Sequence, residues 1–231
     1  MNGPAQGLSK LKVGIDVPWV TSWTAEAVQG VAPCPTVDGR VAIWQQEHAG
    51  FGKPQYSMNH YRRQRASIRG LLCPMCGDPA PEGDRWMLTG KLGTAGVARR
   101  LGVGHTVPPD IADDRVVLNA GSVSPGHLDC MTRSQEQCPH LSSDAEAELR
   151  PFPALWYVSL LQVPASVGLK GQGMLALASA PPPDMPVVAF LQLCGVTDEV
   201  DRKWRLRLRQ PNPLGLPVAP GLPIPQSLPI V

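Results

Sequence analysis

An α+β fold of short strands and two helices is predicted by three observations on this sequence. The run Cys73-Pro74-Met75-Cys76-Gly77 puts two thiols on one tight turn. Proline is frequent, 26 of 231 residues, which favours short elements and many loops. Apolar residues follow helical spacing before the turn and short alternating runs after Leu141. The expected organisation is a flexible lead-in over residues 1–15, an α+β domain over 16–141, a β-rich segment over 142–210 and a proline-rich disordered tail over 211–231.

Taken in order, Val41-Ala42-Ile43-Trp44 reads as a strand, broken by Gly50, Gly52 and Pro54. A helix is expected from Ser57 to Leu72, with Ser57 as its cap and Met58, Tyr61, Arg65, Ile68 and Leu72 on one stripe. Arg85–Thr89 is a short strand and Val116-Val117-Leu118 a return strand; residues 90–115 between them read either as loop or as a helix over Ala95–Leu101. Ser124-Pro125 has the form of a helix start, with Ser as cap and Pro at the first helical position. That helix would run to about Gln137, where Pro139 stops it. Beyond Leu141, residues 155–163, 173–179, 187–194 and 203–209 read as strands between Gly or Pro turns.

Net charge is only +2, but it is uneven. From Lys53 to Arg100 there are nine Lys/Arg against three Asp/Glu, and from Asp110 to Arg150 eight acids against three bases. The plainer reading is that the two segments neutralise each other, and the sharper one is a basic face for nucleic acid. The first twenty residues lack a continuous apolar core, and no run approaches the roughly 20 apolar residues of a membrane helix. A soluble, cytoplasmic protein is therefore expected, with no membrane partner. In that compartment six cysteines point to metal ligands or free thiols rather than disulfides.

A structural zinc ion takes four Cys or His ligands in a tetrahedron. Cys73 and Cys76 supply two of them. Cys130 and Cys138 are eight residues apart, about 12 Å along a continuous helix. That is too far to share one ion. His127 and Cys130 are three apart, on one face of a first helical turn. The expected zinc set is Cys73, Cys76, His127 and Cys130, with Cys138 or His140 replacing His127 if the helix breaks. A knuckle, a hairpin built from the strands near Trp86 and Val117, and a helix carrying the second pair make a treble-clef-like, zinc-stabilised module. A Cys-Pro-x-Cys turn also suits redox chemistry. Here, however, Asp78-Pro79-Ala80-Pro81-Glu82-Gly83 follows it and cannot open the helix that would activate the first thiol.

Several landmarks extend beyond that turn: Trp19 to Trp23, Cys34-Pro35, Gly39-Arg40, Trp44-Gln45, Gly52-Lys53-Pro54, the Arg62–Arg65 cluster, and His127-x-x-Cys130 with Cys138-Pro139-His140-Leu141. On these, residues 16–141 resemble uncharacterised zinc-ribbon-like proteins of high-GC bacteria and their phages. The resemblance implies a metal-binding fold and no established activity.

Two functions compete. The first is a non-enzymatic zinc-stabilised protein of phage or prophage context that binds nucleic acid or protein. Its contact face would be Arg62, Arg63, Arg65 and Arg69, each adding salt-dependent affinity for phosphates. The second is a metal-dependent nuclease. His105, Asn119 and His127 are similar in order to the His-Asn-His set of the HNH nucleases. Against it, Gly104 precedes the first histidine, and His127 cannot serve zinc and a catalytic metal together. No nucleophile elbow, phosphate-binding glycine loop or His-Glu-x-x-His motif is present.

Overall fold

Among the described residues, six strands join in one sheet whose middle strand comes from the C-terminal part of the chain. The computed structural model describes residues 7–88, 90–100, 107–142, 147–165 and 182–196, the side chains of Pro139 and His140 excepted. In chain order the strands are β1 (Thr21–Trp23), β2 (Val28–Pro33), β3 (Val41–Gln45), β4 (Pro54–Asn59), β5 (Trp86–Met87), β6 (Lys91–Thr94), β7 (Val116–Gly121), β8 (Arg150–Pro151), β9 (Leu155–Pro164) and β10 (Pro186–Val196). The helices are α1 (Tyr61–Gly70), α2 (Ala95–Ala98), α3 (Leu128–Gln137) and α4 (Pro139–Ser142).

The main sheet has the order β2-β3-β10-β7-β6, with β9 also on β10. Strand β10 pairs with β9 along its whole length, from Pro186 to Val196. Its other edge is shared: Val188 meets Ala42 of β3 in parallel, and Leu193–Val196 meet β7 antiparallel. Between those contacts no strand among the described residues lies on that edge. Helix α1 covers the gap with polar side chains. Gln64 Nε2 donates to Leu191 O at 2.7 Å, and Leu191 N donates back to Gln64 Oε1 at 3.0 Å. Arg65 donates to Ala189 O at 2.8 Å and to Ile43 O at 2.7 Å. These bonds satisfy backbone groups that a missing strand would otherwise orphan. The apolar side of α1, Ile68 with Leu71 just beyond the helix, packs on Val188, Leu191, Leu193 and Leu118 in the main core.

An adjoining buried network holds the start of α1. Glu26 accepts from Arg63 Nη1 at 2.6 Å and Nη2 at 2.7 Å, and from the backbone N–H of Trp23 at 2.8 Å. Both side chains of this ion pair are almost fully buried. His60 caps α1 by accepting from Arg63 N, while its Nε2 meets Gln46 O at 2.9 Å.

Several expectations are corrected. The helix begins at Tyr61, not Ser57, because Ser57 lies in β4, whose pairing with β1 occupies residues 54–59. Helix α3 begins at Leu128, and Ser124 instead bonds Leu72 O at 2.6 Å. The hairpin expected between the strands near Trp86 and Val117 does not form: β5 pairs with β8, and β7 with β6 and β10. The described part of residues 142–210 does not stand apart from the rest, since β10 is a central strand of the sheet that β2, β3, β6 and β7 complete. The lead-in is packed from Gly7 onward: Ser9 N donates to Gly50 O and Gly52 N to Gly7 O. Residues 1–6, the strands expected at 173–179 and 203–209, and the tail lie outside the described residues.

Candidate metal centre

The knuckle follows directly from its residues. Gly77 N donates to Cys73 O at 2.8 Å and Cys73 N to Asp78 O at 2.7 Å, closing the turn. Gly77 has φ +88°, a conformation that disfavours any side chain. A Cβ there would also lie 2.9 Å from the Trp19 ring. That ring covers the knuckle because Trp19 N bonds Met75 O at 2.8 Å and Val20 N bonds Pro74 O at 3.1 Å.

The second half is delivered by α3. A two-way backbone bridge between Trp86 and Gly126 brings the chain to the knuckle. Gly126 is needed there, since a Cβ would sit 2.9 Å from Cys73 Sγ. His127 is the N-cap of α3 and Cys130 lies in its first turn. Asp84 Oδ1 accepts from Leu128 N at 2.7 Å and so caps the helix from a separate loop.

Cys73, Cys76, His127 and Cys130 each offer one ligand atom, and these atoms all lie within 4.8 Å of one another. Cys73 is buried and the other three are half-buried. For zinc bond lengths of about 2.3 Å to sulfur and about 2.0 Å to nitrogen, a tetrahedron has S–N edges of about 3.5 Å. Cys76 Sγ and His127 Nδ1 are 3.5 Å apart. His127 Nε2 donates to Pro79 O at 3.1 Å, the outer hydrogen bond that leaves Nδ1 free to ligate. The donor set is soft, closed at four and therefore suited to a structural zinc ion.

The thiols are crowded electrostatically. Burial works to raise Cys73, but backbone N–H groups of Cys76, His127 and Met75 directed at its sulfur bring it below the ordinary thiol value. Burial and the neighbouring Cys73 and Cys76 sulfurs push Cys130 up to about 12. Burial opposes protonation of His127, yet the Pro79 carbonyl and Cys73 raise it overall. Three thiolates this close repel one another without a cation between them. A divalent ion reverses that balance.

Of the other expected site residues, Cys138 is the C-cap of α3 and outside the cluster, and His140 lies on α4. Cys34 and Cys194 are buried elsewhere. Cys34 lies beside Arg65 and Thr36. Burial raises its thiol, but the Thr36 hydroxyl and the Arg65 charge bring it below its usual value. The arginine face does not form as expected. Arg63 and Arg65 point inward: Arg63 pairs with the buried Glu26 carboxylate, and Arg65 supplies donors to Ala189 O of β10 and Ile43 O of β3. Arg62 lies over the Trp44 ring at 4.0 Å and pairs with Glu47 at 3.3 Å. Arg69 is exposed and pairs with Asp38. His105 lies outside the described residues. Asn119 turns its Oδ1 to Gly121 N at 2.9 Å, and His127 belongs to the thiol cluster.

Sequence reasoning missed Trp19, Gly126, Asp84 and Arg133 around this centre. Only Arg133 carried a local signal: it is three residues beyond Cys130 on the same helix. No family model, curated protein or solved structure matches this chain. Among the described residues no helix is long and apolar enough to cross a membrane.

Proposed function

We propose that this is a non-enzymatic binding protein whose fold is fixed by one structural zinc ion on Cys73, Cys76, His127 and Cys130. The observation that carries the reading is the convergence of three thiols and an imidazole within 4.8 Å, from two segments more than 50 residues apart. Four protein ligands leave no open position for substrate, which favours a structural over a catalytic role. The zinc-ribbon resemblance agrees with this.

A protein partner fits better than nucleic acid. Two of the four arginines expected to meet phosphates are internal, whereas Leu8, Leu11, Ile15, Phe51, Tyr56 and Met58 are exposed in the N-terminal quarter. Large exposed apolar side chains of this kind suit a protein contact. The nuclease reading has His127 against it, since that side chain sits among the thiols.

Elemental analysis of the purified full chain tests the proposal, together with plasmid incubation in Mg²⁺ or Mn²⁺ and DNA-binding titrations over a range of salt. One zinc per chain, no cleavage and no salt-sensitive DNA binding is the expected result. Cleavage abolished by His105→Ala would overturn it in favour of the nuclease. Metal-free protein with unchanged folding would remove the zinc.

A further inference from the structure

Helix α3 carries a cation to the metal cluster. Arg133 is three residues from Cys130, one turn along the same face. Its Nη2 lies 3.8 Å from Cys130 Sγ and 3.4 Å from the carbonyl oxygen of Gly14. Its Nε is buried without a hydrogen-bond partner. Among the described residues no carboxylate forms an ion pair with it. A half-buried guanidinium placed so, against a sulfur and with no carboxylate paired to it, is favoured by a negative charge at that sulfur.

The loaded centre supplies one. A divalent ion, three thiolates and a neutral imidazole sum to a net charge of −1. Hydrogen bonds to ligating sulfur hold the ligand in place and moderate its reactivity. Gly14 lies against the knuckle, where a Cβ would be 3.5 Å from Cys76 Cα. Arg133 thus reaches from one metal ligand to a segment that touches another.

We infer that Arg133 is a positioning residue for the metal centre: its charge offsets the anionic cluster at Cys130 and ties the Gly14 segment to it. This rests on the zinc reading above. The consequence is kinetic as well as structural. With Arg133 in place, Cys130 is a shielded, poorly nucleophilic ligand and the ion is slow to leave.

The test uses zinc-loaded full-length protein. Zinc transfer to a colorimetric chelator is timed with and without N-ethylmaleimide, in wild type, Arg133→Met and Arg133→Lys. Met keeps the apolar stem and removes the charge, and Lys keeps the charge. Arg133→Met should release zinc about tenfold faster, the usual scale for losing an outer-shell partner. Lys should restore most of the difference, and trypsin should cut near Lys12 sooner in the Met variant. Equal release from wild type and Arg133→Met overturns the inference, as does equally fast release from Met and Lys. Wild type that holds no zinc fails the underlying reading instead. Should Arg133→Met not fold, Arg133→Gln gives the same comparison.

Discussion

The side-chain amide of Gln64 makes both hydrogen bonds to Leu191 that a neighbouring strand would make, one donated and one accepted, across 127 residues of sequence. Gln64 Nε2 also reaches Ser122 O at 2.8 Å, just past the end of β7. One glutamine therefore stands in for a peptide unit at the point where β3 and β7 part from β10.

Replacing that amide is expected to be costly. Gln64→Leu would leave the Leu191 N–H and C=O unpaired in the core, at about 1–3 kcal/mol for each orphaned group. Urea unfolding should show the midpoint falling with little change in slope. Gln64→Glu keeps the acceptor and loses the donors, so it should also destabilise, with the loss easing at low pH where the carboxyl can donate.

The buried ion pair gives a second expectation. Arg63→Met would leave the Glu26 carboxylate buried with its charge partner gone, since both Nη bonds are lost together. Breaking a buried pair from one side costs about 3–5 kcal/mol. Replacing both residues at once, Glu26→Gln with Arg63→Met, should cost less than Arg63→Met alone.

His60 sets a pH dependence. It is buried, and burial together with the nearby Arg63 charge lowers its pKa from 6.5 to about 4. The folded state therefore holds His60 neutral where the unfolded chain would protonate it. Its contribution is complete above pH 6.5 and is lost as pH falls from 6.5 to 4, by about 3 kcal/mol at the end of that window. Stability measured against pH in wild type and His60→Gln checks this. Any loss of metal from the Cys73 cluster at low pH is common to both proteins, so the difference between the two curves isolates His60.

Metal removal should loosen the N-terminal segment. With free zinc about a thousandfold above its dissociation constant, binding adds about 4 kcal/mol, or about 10 °C in Tm for a chain of this size. A chelator or Cys76→Ser should remove that increment. Because the Trp19 ring rests on Gly77, its emission should move to longer wavelength on metal loss. Trp19→Phe identifies that signal among the six tryptophans.

Gly77 and Gly39 form a matched pair. Both have positive φ, at +88° and +76°, but a Cβ at Gly77 meets the Trp19 ring whereas at Gly39 it meets nothing within 4 Å. Both alanine variants should carry a left-handed penalty of about 1–2 kcal/mol. Gly77→Ala should cost at least about 1 kcal/mol more, the scale of overpacking, and only Gly77→Ala should weaken metal retention.

What could be read from sequence follows the range of the interaction. The geometry of Cys73 with Cys76, and of His127 with Cys130, is set within one turn each, so spacing alone suggested which four to group. The role of Arg65 depends on β10, more than 120 residues away, and that of Arg63 on Glu26 in an earlier loop; no local pattern shows either. Arg65 did carry a hint, since it lies on the same helical stripe as Ile68. A charged residue on an apolar stripe is inward-facing by periodicity. Ser57 looked like a cap because serine suits caps, but pairing of β4 with β1 took precedence. Strand order was illegible for the same reason: β3 and β7 are joined through a strand that comes after both.

The late position of β10 has a consequence for assembly order. During synthesis all four residues of the candidate metal cluster have been made by residue 130, whereas the strand that unites the sheet spans 186–196. Until then the buried amide of Gln64 and guanidinium of Arg65 have no backbone from β10 to bond, and the flank of β3 remains open. Closing contacts over so long a separation is slow, and unpaired edges in the interval invite association between chains. A centre that locks the knuckle to α3 early would hold the first half of the molecule in shape while it waits for its middle strand.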